Sequence, residues 1–174
     1  SGLVMPGMTV FLDAGSTVLA AARAITAEGV TLVTHAPLIA AALAERPEIT
    51  LVVLGGRIDP LVGAAVGARA LAEAEGLRPD LALFGACGLD PDAGLTAHSV
   101  EDAAFKRRLA SASAVVAAAA DRIKIGTAAA FPVIDTDACD VLALEASTPR
   151  DLLARFRAAG PRVLEVATDE RAGA

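Results

Sequence analysis

The stretch Val10-Phe11-Leu12-Asp13-Ala14-Gly15-Ser16-Thr17 decides how this chain is read: an apolar strand stops at an Asp and a Gly and opens straight into an alanine-rich helix. Such a junction is suited to hold an anion. Asp13 ends the strand with a carboxylate, Gly15 lets backbone approach a ligand closely, and the unpaired N–H groups of the next helical turn point along the helix dipole. Ser16 and Thr17 add hydroxyls, for which the plainer role is to cap the helix. The motif is neither a Walker loop nor a G-x-G-x-x-G fingerprint.

Outward from this junction, short buried runs alternate with amphipathic or alanine-rich ones. Strands are expected near residues 9–13, 31–34, 50–54, 80–84, 114–120, 141–144 and 163–166. Helices are expected near 17–28, 37–45, 63–75, 101–112 and 149–158, with Pro37 and Pro149 suited to a first helical turn. The alternation predicts an α/β fold, a Rossmann-like, mostly parallel sheet with helices on both faces. No linker, low-complexity tract or internal repeat divides residues 1–174, which read as one domain. Leu3-Val4-Met5-Pro6-Gly7 reads as the tail of a longer apolar segment, so further chain is expected upstream of Ser1.

Composition narrows the function classes. With 174 residues, 55% of them apolar, the chain can bury the core of one domain. The longest apolar run, around 114–120, is interrupted by Asp121 and is too short for a membrane span. There is no basic, apolar leader at the start, and Cys87 and Cys139 are too few and too far apart for a disulfide framework or a zinc site. The expected compartment is the cytoplasm. A formal charge of −6, with no Trp or Tyr, offers neither a basic stripe nor a stacking platform for nucleic acid.

In an open α/β sheet, ligands sit beyond the carboxyl ends of the strands. The predicted ends are Asp13-Ala14-Gly15-Ser16-Thr17, Thr34-His35-Ala36, Gly55-Gly56-Arg57, Gly85-Ala86-Cys87-Gly88 and Asp121-Arg122-Ile123-Lys124. Each has a plainer role as well. The glycines serve turns, His35 is a satisfied polar residue at a strand end, and Arg57 and Lys124 are solvated charges. Asp102 and Lys106, four apart on a helix, read first as an exposed ion pair worth about 0.3–0.5 kcal/mol. Neither a metal ligand set nor a cofactor motif emerges.

Taken in order, the motif around Asp13, Val33-Thr34-His35, Leu54-Gly55-Gly56, Phe84-Gly85-Ala86-Cys87-Gly88-Leu89-Asp90, Gly94-Leu95-Thr96, Asp102-Ala103-Ala104-Phe105-Lys106-Arg107 and Ala120-Asp121-Arg122-Ile123-Lys124-Ile125-Gly126 resembles the effector-sensing domain of DeoR-type transcriptional regulators. The resemblance covers nearly the whole chain. It implies a fold related to ribose-5-phosphate isomerase and CoA transferases, a phosphorylated sugar or related carbon-metabolism intermediate as effector, and a homo-oligomer. It also implies that DNA is bound only through an N-terminal winged helix-turn-helix domain, outside this chain. On that reading Gly15, Ser16 and Thr17 supply amides and hydroxyls, Lys106 and Lys124 supply charge, and Asp13, Thr34, His35 and Asp102 read sugar hydroxyls, with Gly55, Gly56, Arg57, Gly85 and Gly88 on the rim. The chain departs from the family pattern at His35, where Asn is usual, at Asp102, where Glu is usual, at Arg122-Ile123-Lys124, and at Glu145, where Asp is common. No catalytic residue is expected of a sensor. The alternative is a sugar-phosphate isomerase, with Asp90, Asp92 or Asp102 as base and Lys106 or Lys124 as electrophile. A third possibility is an interaction module whose glycines serve only turns.

Overall fold

The computed structural model describes residues 2–167. In chain order the elements are β1 (Thr9–Leu12), α1 (Ser16–Arg23), β2 (Thr31–Thr34), α2 (Pro37–Leu43), β3 (Thr50–Val53), β4 (Arg57–Asp59), β5 (Ala64–Val66), α3 (Ala68–Glu75) and β6 (Leu81–Gly85). They continue with β7 (Gly88–Asp90), β8 (Gly94–Ala97), α4 (Val100–Ala112), β9 (Val115–Ala120), β10 (Phe131–Ile134), a 3-10 turn (Thr136–Ala138), β11 (Val141–Glu145), α5 (Arg150–Ala158) and β12 (Arg162–Val166). Seven strands form one parallel sheet in the order β12-β11-β9-β6-β1-β2-β3. These are the seven strands expected from the sequence, and the α/β class holds.

Period-two alternation sorts the strand side chains between two cores. Val10, Leu12, Leu32 and Val141 face one layer, with Val18 and Ala22 of α1 and Ile39 and Leu43 of α2. Phe11, Val33, Phe84, Ala118 and Leu142 face the other, with Phe105 and Leu109 of α4 and Leu153 and Phe156 of α5. Strand β9 sits between β6 and β11, and four of its six residues are alanine, which keeps the middle of the sheet lined with small side chains. Among the described residues, no helix is long and apolar enough to cross a membrane.

Sheet order locates the crevice. From β1 the chain winds outward to β2 and β3, then crosses back to β6 on the other side of β1. The connections therefore diverge between β1 and β6, and their carboxyl ends leave space there. Two small sheets decorate this end. The hairpin β4–β5 is antiparallel, and β5 is tied to the end of β2 by Ala65 N–H donating to the His35 carbonyl at 2.9 Å. The other small sheet is β10-β8-β7, with the β7–β8 turn held by Asp90 Oδ1, which accepts from the amides of Asp92 and Ala93.

Three expectations are corrected. Residues 64–66 are strand rather than helix: β5 pairs with β4, Gly67 breaks the chain direction at φ +90°, and α3 begins only at Ala68. Helix α1 ends at Arg23 instead of running to residue 28. Pro149 sits at the N-cap of α5 rather than inside it, whereas Pro37 does open α2.

Candidate functional site

Gly15 is the N-cap of α1 at φ +113°, a conformation that disfavours residues with a Cβ, and no side chain caps the helix. Ser16 and Thr17 fall within the first turn instead of capping it. The first helical amide to find a carbonyl is Leu19 N–H, on Gly15 at 2.9 Å. The amides of Ser16, Thr17 and Val18 thus have no acceptor one turn back. Gly15 and Ser16 are exposed, Thr17 is half-buried, and a Cβ placed on Gly15 would meet nothing within 4 Å.

Beneath this open turn lies a sealed floor. Asp13 is fully buried; its Oδ1 accepts from His35 Nε2 at 2.9 Å, and its Oδ2 accepts from Gly85 N–H at 2.9 Å and lies 3.0 Å from Lys106 Nζ. Lys106 Nζ also donates to the Gly85 carbonyl at 3.1 Å and lies 3.1 Å from Asp102 Oδ2. One carboxylate therefore joins the ends of β1, β2 and β6 to helix α4. His35 Nδ1 is 2.8 Å from the Ala65 carbonyl, and its ring stacks on Phe105 at 4.3 Å between centroids and 11° between planes. Both ring nitrogens thus face acceptor oxygens.

Helix α4 delivers two of these groups for a local reason. Ser99 caps it by accepting from Asp102 N–H at 3.1 Å, and Asp102 in the first turn shares a face with Lys106 one turn on. The pair is not the exposed one expected from its spacing. Asp102 is fully buried and Lys106 is 3% exposed, because this face of α4 packs onto the sheet's carboxyl edge.

The electrostatics follow from that burial. Desolvation pushes the Asp13 carboxyl up, but the Lys106 ammonium and the His35 hydrogen bond outweigh it and hold the group at about 2. Burial disfavours the Lys106 ammonium, and the carboxylates of Asp13 and Asp102 reverse this, raising its pKa. Asp102 goes the other way: burial raises its carboxyl, and Lys106 only partly offsets that.

The other residues singled out from the sequence scatter around this centre. The Thr34 hydroxyl is buried and already engaged, donating to the Leu12 carbonyl at 2.7 Å and accepting from Ala36 N–H at 3.1 Å. Gly55 N–H donates to Glu73 at 2.6 Å, Gly56 packs against β5, and Arg57 forms an exposed ion pair with Glu101 at 2.6 Å. Gly85 and Gly88 are packing positions, since a Cβ would lie 2.5 Å from the Ala14 carbonyl at the first and 2.7 Å from the Thr127 carbonyl at the second. Lys124 is a third exposed and 3.2 Å from Asp121. Its backbone is stitched to β7 by Leu89 N–H donating to the Lys124 carbonyl at 3.0 Å. Only β6 separates β1 from β9, so Gly15 and Lys124 stand on the same sheet edge, with strand axes about 10 Å apart at the usual spacing. Phe105 and the Ala65 carbonyl, which orient His35, were not singled out from the sequence; Phe105 beside Lys106 in the α4 motif was the available signal.

The family model described as the DeoR C terminal sensor domain matches residues 1–145. The chain belongs to that family. This DeoR sensor domain is 28% identical over 142 residues to the HTH-type transcriptional repressor GlcR of Bacillus subtilis (strain 168), the match covering 82% of this chain and 55% of the relative. It is 29% identical over 161 residues to the HTH-type transcriptional regulator GlpR of Haloferax volcanii, with 91% and 62% covered. The chain thus spans about three-fifths of the length of the curated relatives it matches. The solved structure of a D-ribose-5-phosphate isomerase in complex with phospho-erythronic acid gives a TM-score of 0.50 at 14% identity, covering 71% of this chain and 48% of that one. That likeness bears on fold alone, and it agrees with the isomerase-related fold that the resemblance implied.

Proposed function

We propose that this DeoR sensor domain binds a phosphorylated sugar, or a related anionic intermediate of carbon metabolism, at the carboxyl edge of its sheet. Occupancy is passed to a DNA-binding domain carried elsewhere in a longer, cytoplasmic regulator. One observation carries the reading: an exposed glycine caps α1 without any side-chain bond, so three first-turn amides find no acceptor one turn back, beside a buried floor that holds Lys106. Free amides at a helix N-terminus favour a phosphoryl group, and on this reading Ser16 and Thr17 add hydrogen bonds and Lys124 adds charge. To move a switch from 1:99 to 99:1, the effector must favour one state by about 5.5 kcal/mol.

The domain acts without turnover on this reading. Two of the three carboxylates considered as an isomerase base have other commitments: Asp90 holds the β7–β8 turn, and Asp92 forms an exposed ion pair with Arg155 at 2.7 Å. The names of the relatives as repressor and regulator support the same side. A homo-oligomer is also part of the proposal. The exposed apolar residues Leu38, Val52, Val53, Ile58 and Leu61 gather on or near the free edge strand β3 and the hairpin that follows it.

A panel of sugar phosphates and their unphosphorylated sugars tests the reading. Phosphorylated members are expected to raise the melting temperature in proportion to RT ln(1 + [L]/Kd) and to be recovered unchanged. Conversion of any member favours the isomerase. An intact protein that responds to none favours the interaction module.

A further inference from the structure

Strand β3 ends the parallel sheet on one side and β12 ends it on the other, and the two edges are built differently. An uncovered edge strand offers its unpaired backbone groups to any other strand, and charged side chains are a common defence against that. Edge β12 has the defence: Arg162 and Glu165 are exposed, and Glu165 Oε1 accepts from Arg157 of α5 at 2.6 Å. Edge β3 has none. The run 49–56 carries no charge and no Pro, its register with β2 is unbroken from Thr50 to Val53, and Val52 and Val53 are exposed.

The ladder to β2 fixes which backbone groups face outward. Thr50 N–H donates to the Val30 carbonyl at 2.9 Å, and Leu54 N–H donates to the Thr34 carbonyl at 2.8 Å. Residues of a parallel strand face a given neighbour alternately, so Thr50, Val52 and Leu54 turn their N–H and C=O groups to β2. Leu51 and Val53 turn theirs to the free edge. Among the described residues, no strand pairs with that edge.

Resting on the homo-oligomer reading above, we infer that β3 pairs antiparallel with β3 of a second copy of this chain, about a two-fold axis through Val52, so that the two sheets become one. A two-fold contact must be complementary to itself. In this register Leu51 and the partner's Val53 exchange both of their N–H···O bonds, as do Val53 and the partner's Leu51, which uses every outward group on the strand. Val52 meets the partner's Val52 across the axis as a close pair, and because the run is uncharged, no like charges are opposed. The exposed side chains of Leu38, Ile58 and Leu61 near this edge extend the apolar contact. Two-fold pairing also suits a regulator whose DNA-binding domains lie elsewhere in the chain, since paired domains read paired half-sites.

Cross-linking and amide exchange test the inference. The two Cα atoms of the Val52 pair would lie about 4.5 Å apart, within reach of a disulfide. Under mild oxidation Val52→Cys is expected to give a covalent dimer on a non-reducing gel, whereas Val166→Cys on the defended edge, which shares the native Cys87 and Cys139, is expected to stay monomeric there. The unsubstituted chain is expected to sediment as a dimer whose Leu51 amide exchanges about tenfold or more slowly than in Val53→Lys, where a charge would have to enter the contact. Val53→Pro should lose the dimer as well, because it deletes an outward donor and spares the bonds to β2. A dimer in which the Leu51 and Val53 amides exchange freely, or cross-linking no greater at position 52 than at position 166, overturns the edge pairing and leaves the homo-oligomer standing. A chain that sediments as a monomer at every concentration overturns both.

Discussion

Lys106 holds its ammonium 3.0 Å from Asp13 Oδ2, joining helix α4 to the end of β1 with both side chains almost wholly buried. Removing one partner of such a pair strands the other in a medium that solvates it poorly. Lys106→Met is therefore expected to destabilise the fold by about 3–5 kcal/mol, measured as the loss in urea-unfolding free energy. The double variant Asp13→Asn/Lys106→Met should lose less than the sum of the two single losses, since neither member of the Asp13–Lys106 pair then strands the other.

Asp13 and Asp102 impose opposite pH dependences on stability. Asp13 is held at about 2, below the ordinary aspartate value, so its contribution is present above the higher value and is lost as pH falls through the lower one. The size is on the order of 2 kcal/mol. The carboxyl of Asp102 is raised, so the folded state holds a proton that the unfolded chain has released. Stability is then lost as pH climbs from the ordinary aspartate value through the raised one. Relative to the unsubstituted chain, Asp102→Asn should gain stability as pH rises across that window, at no more than about 1.4 kcal/mol per unit. Asp13→Asn should lose ground between about pH 2 and pH 4. Urea midpoints across the acid and neutral range read both slopes.

Gly15 and Gly85 need glycine for different reasons, and their substitutions should part accordingly. At Gly15 the space beyond Cα is open and the obstacle is φ +113°, so Gly15→Ala costs about 1–3 kcal/mol of strain and leaves the sheet folded. Its methyl projects beside the free amides of α1, so anion binding should weaken by more than stability does. At Gly85 a methyl would come within 2.5 Å of the Ala14 carbonyl, which forces the β1–α1 turn to move. Gly85→Ala should be the more destabilising of the two by thermal unfolding. Equal melting temperatures would contradict this division.

What the sequence disclosed follows the strength of its periodic signals. The inner strands of the parallel sheet are largely buried, so runs such as Thr31-Leu32-Val33-Thr34 stand out from the helices between them. Ala64-Ala65-Val66 misleads because its composition continues into α3, while its strand state is set by partners distant in sequence, Arg57-Ile58-Asp59 and His35. Strands β7, β8 and β10 carry Gly88, Gly94 and Pro132, residues that read as turns, so no strand signal stands out there. At the crest, Asp13, His35 and Gly85 each stand at a strand's carboxyl end in the sequence, and the parallel sheet brings those ends together. The burial of Asp102 and Lys106 was not legible, because an i,i+4 pair looks the same in sequence whether its face meets water or the sheet.

Lys124 offers the sharpest discrimination between ligand classes. Its ammonium is a third exposed and 3.2 Å from Asp121, a partly solvated pair that contributes little to stability, so Lys124→Ala should leave the urea midpoint nearly unchanged. Binding is a different matter. A charge-assisted hydrogen bond to a phosphoryl oxygen is worth about 1.5–3 kcal/mol, which is roughly a tenfold to 150-fold loss of affinity for the phosphorylated sugar. The unphosphorylated sugar has no group for that ammonium, and its affinity should change by less than about threefold. Calorimetric titration of both ligands into both proteins measures the four constants. Parallel losses for the two sugars would show that Lys124 touches the sugar body, and the phosphoryl end would then have to rest on the α1 amides without it.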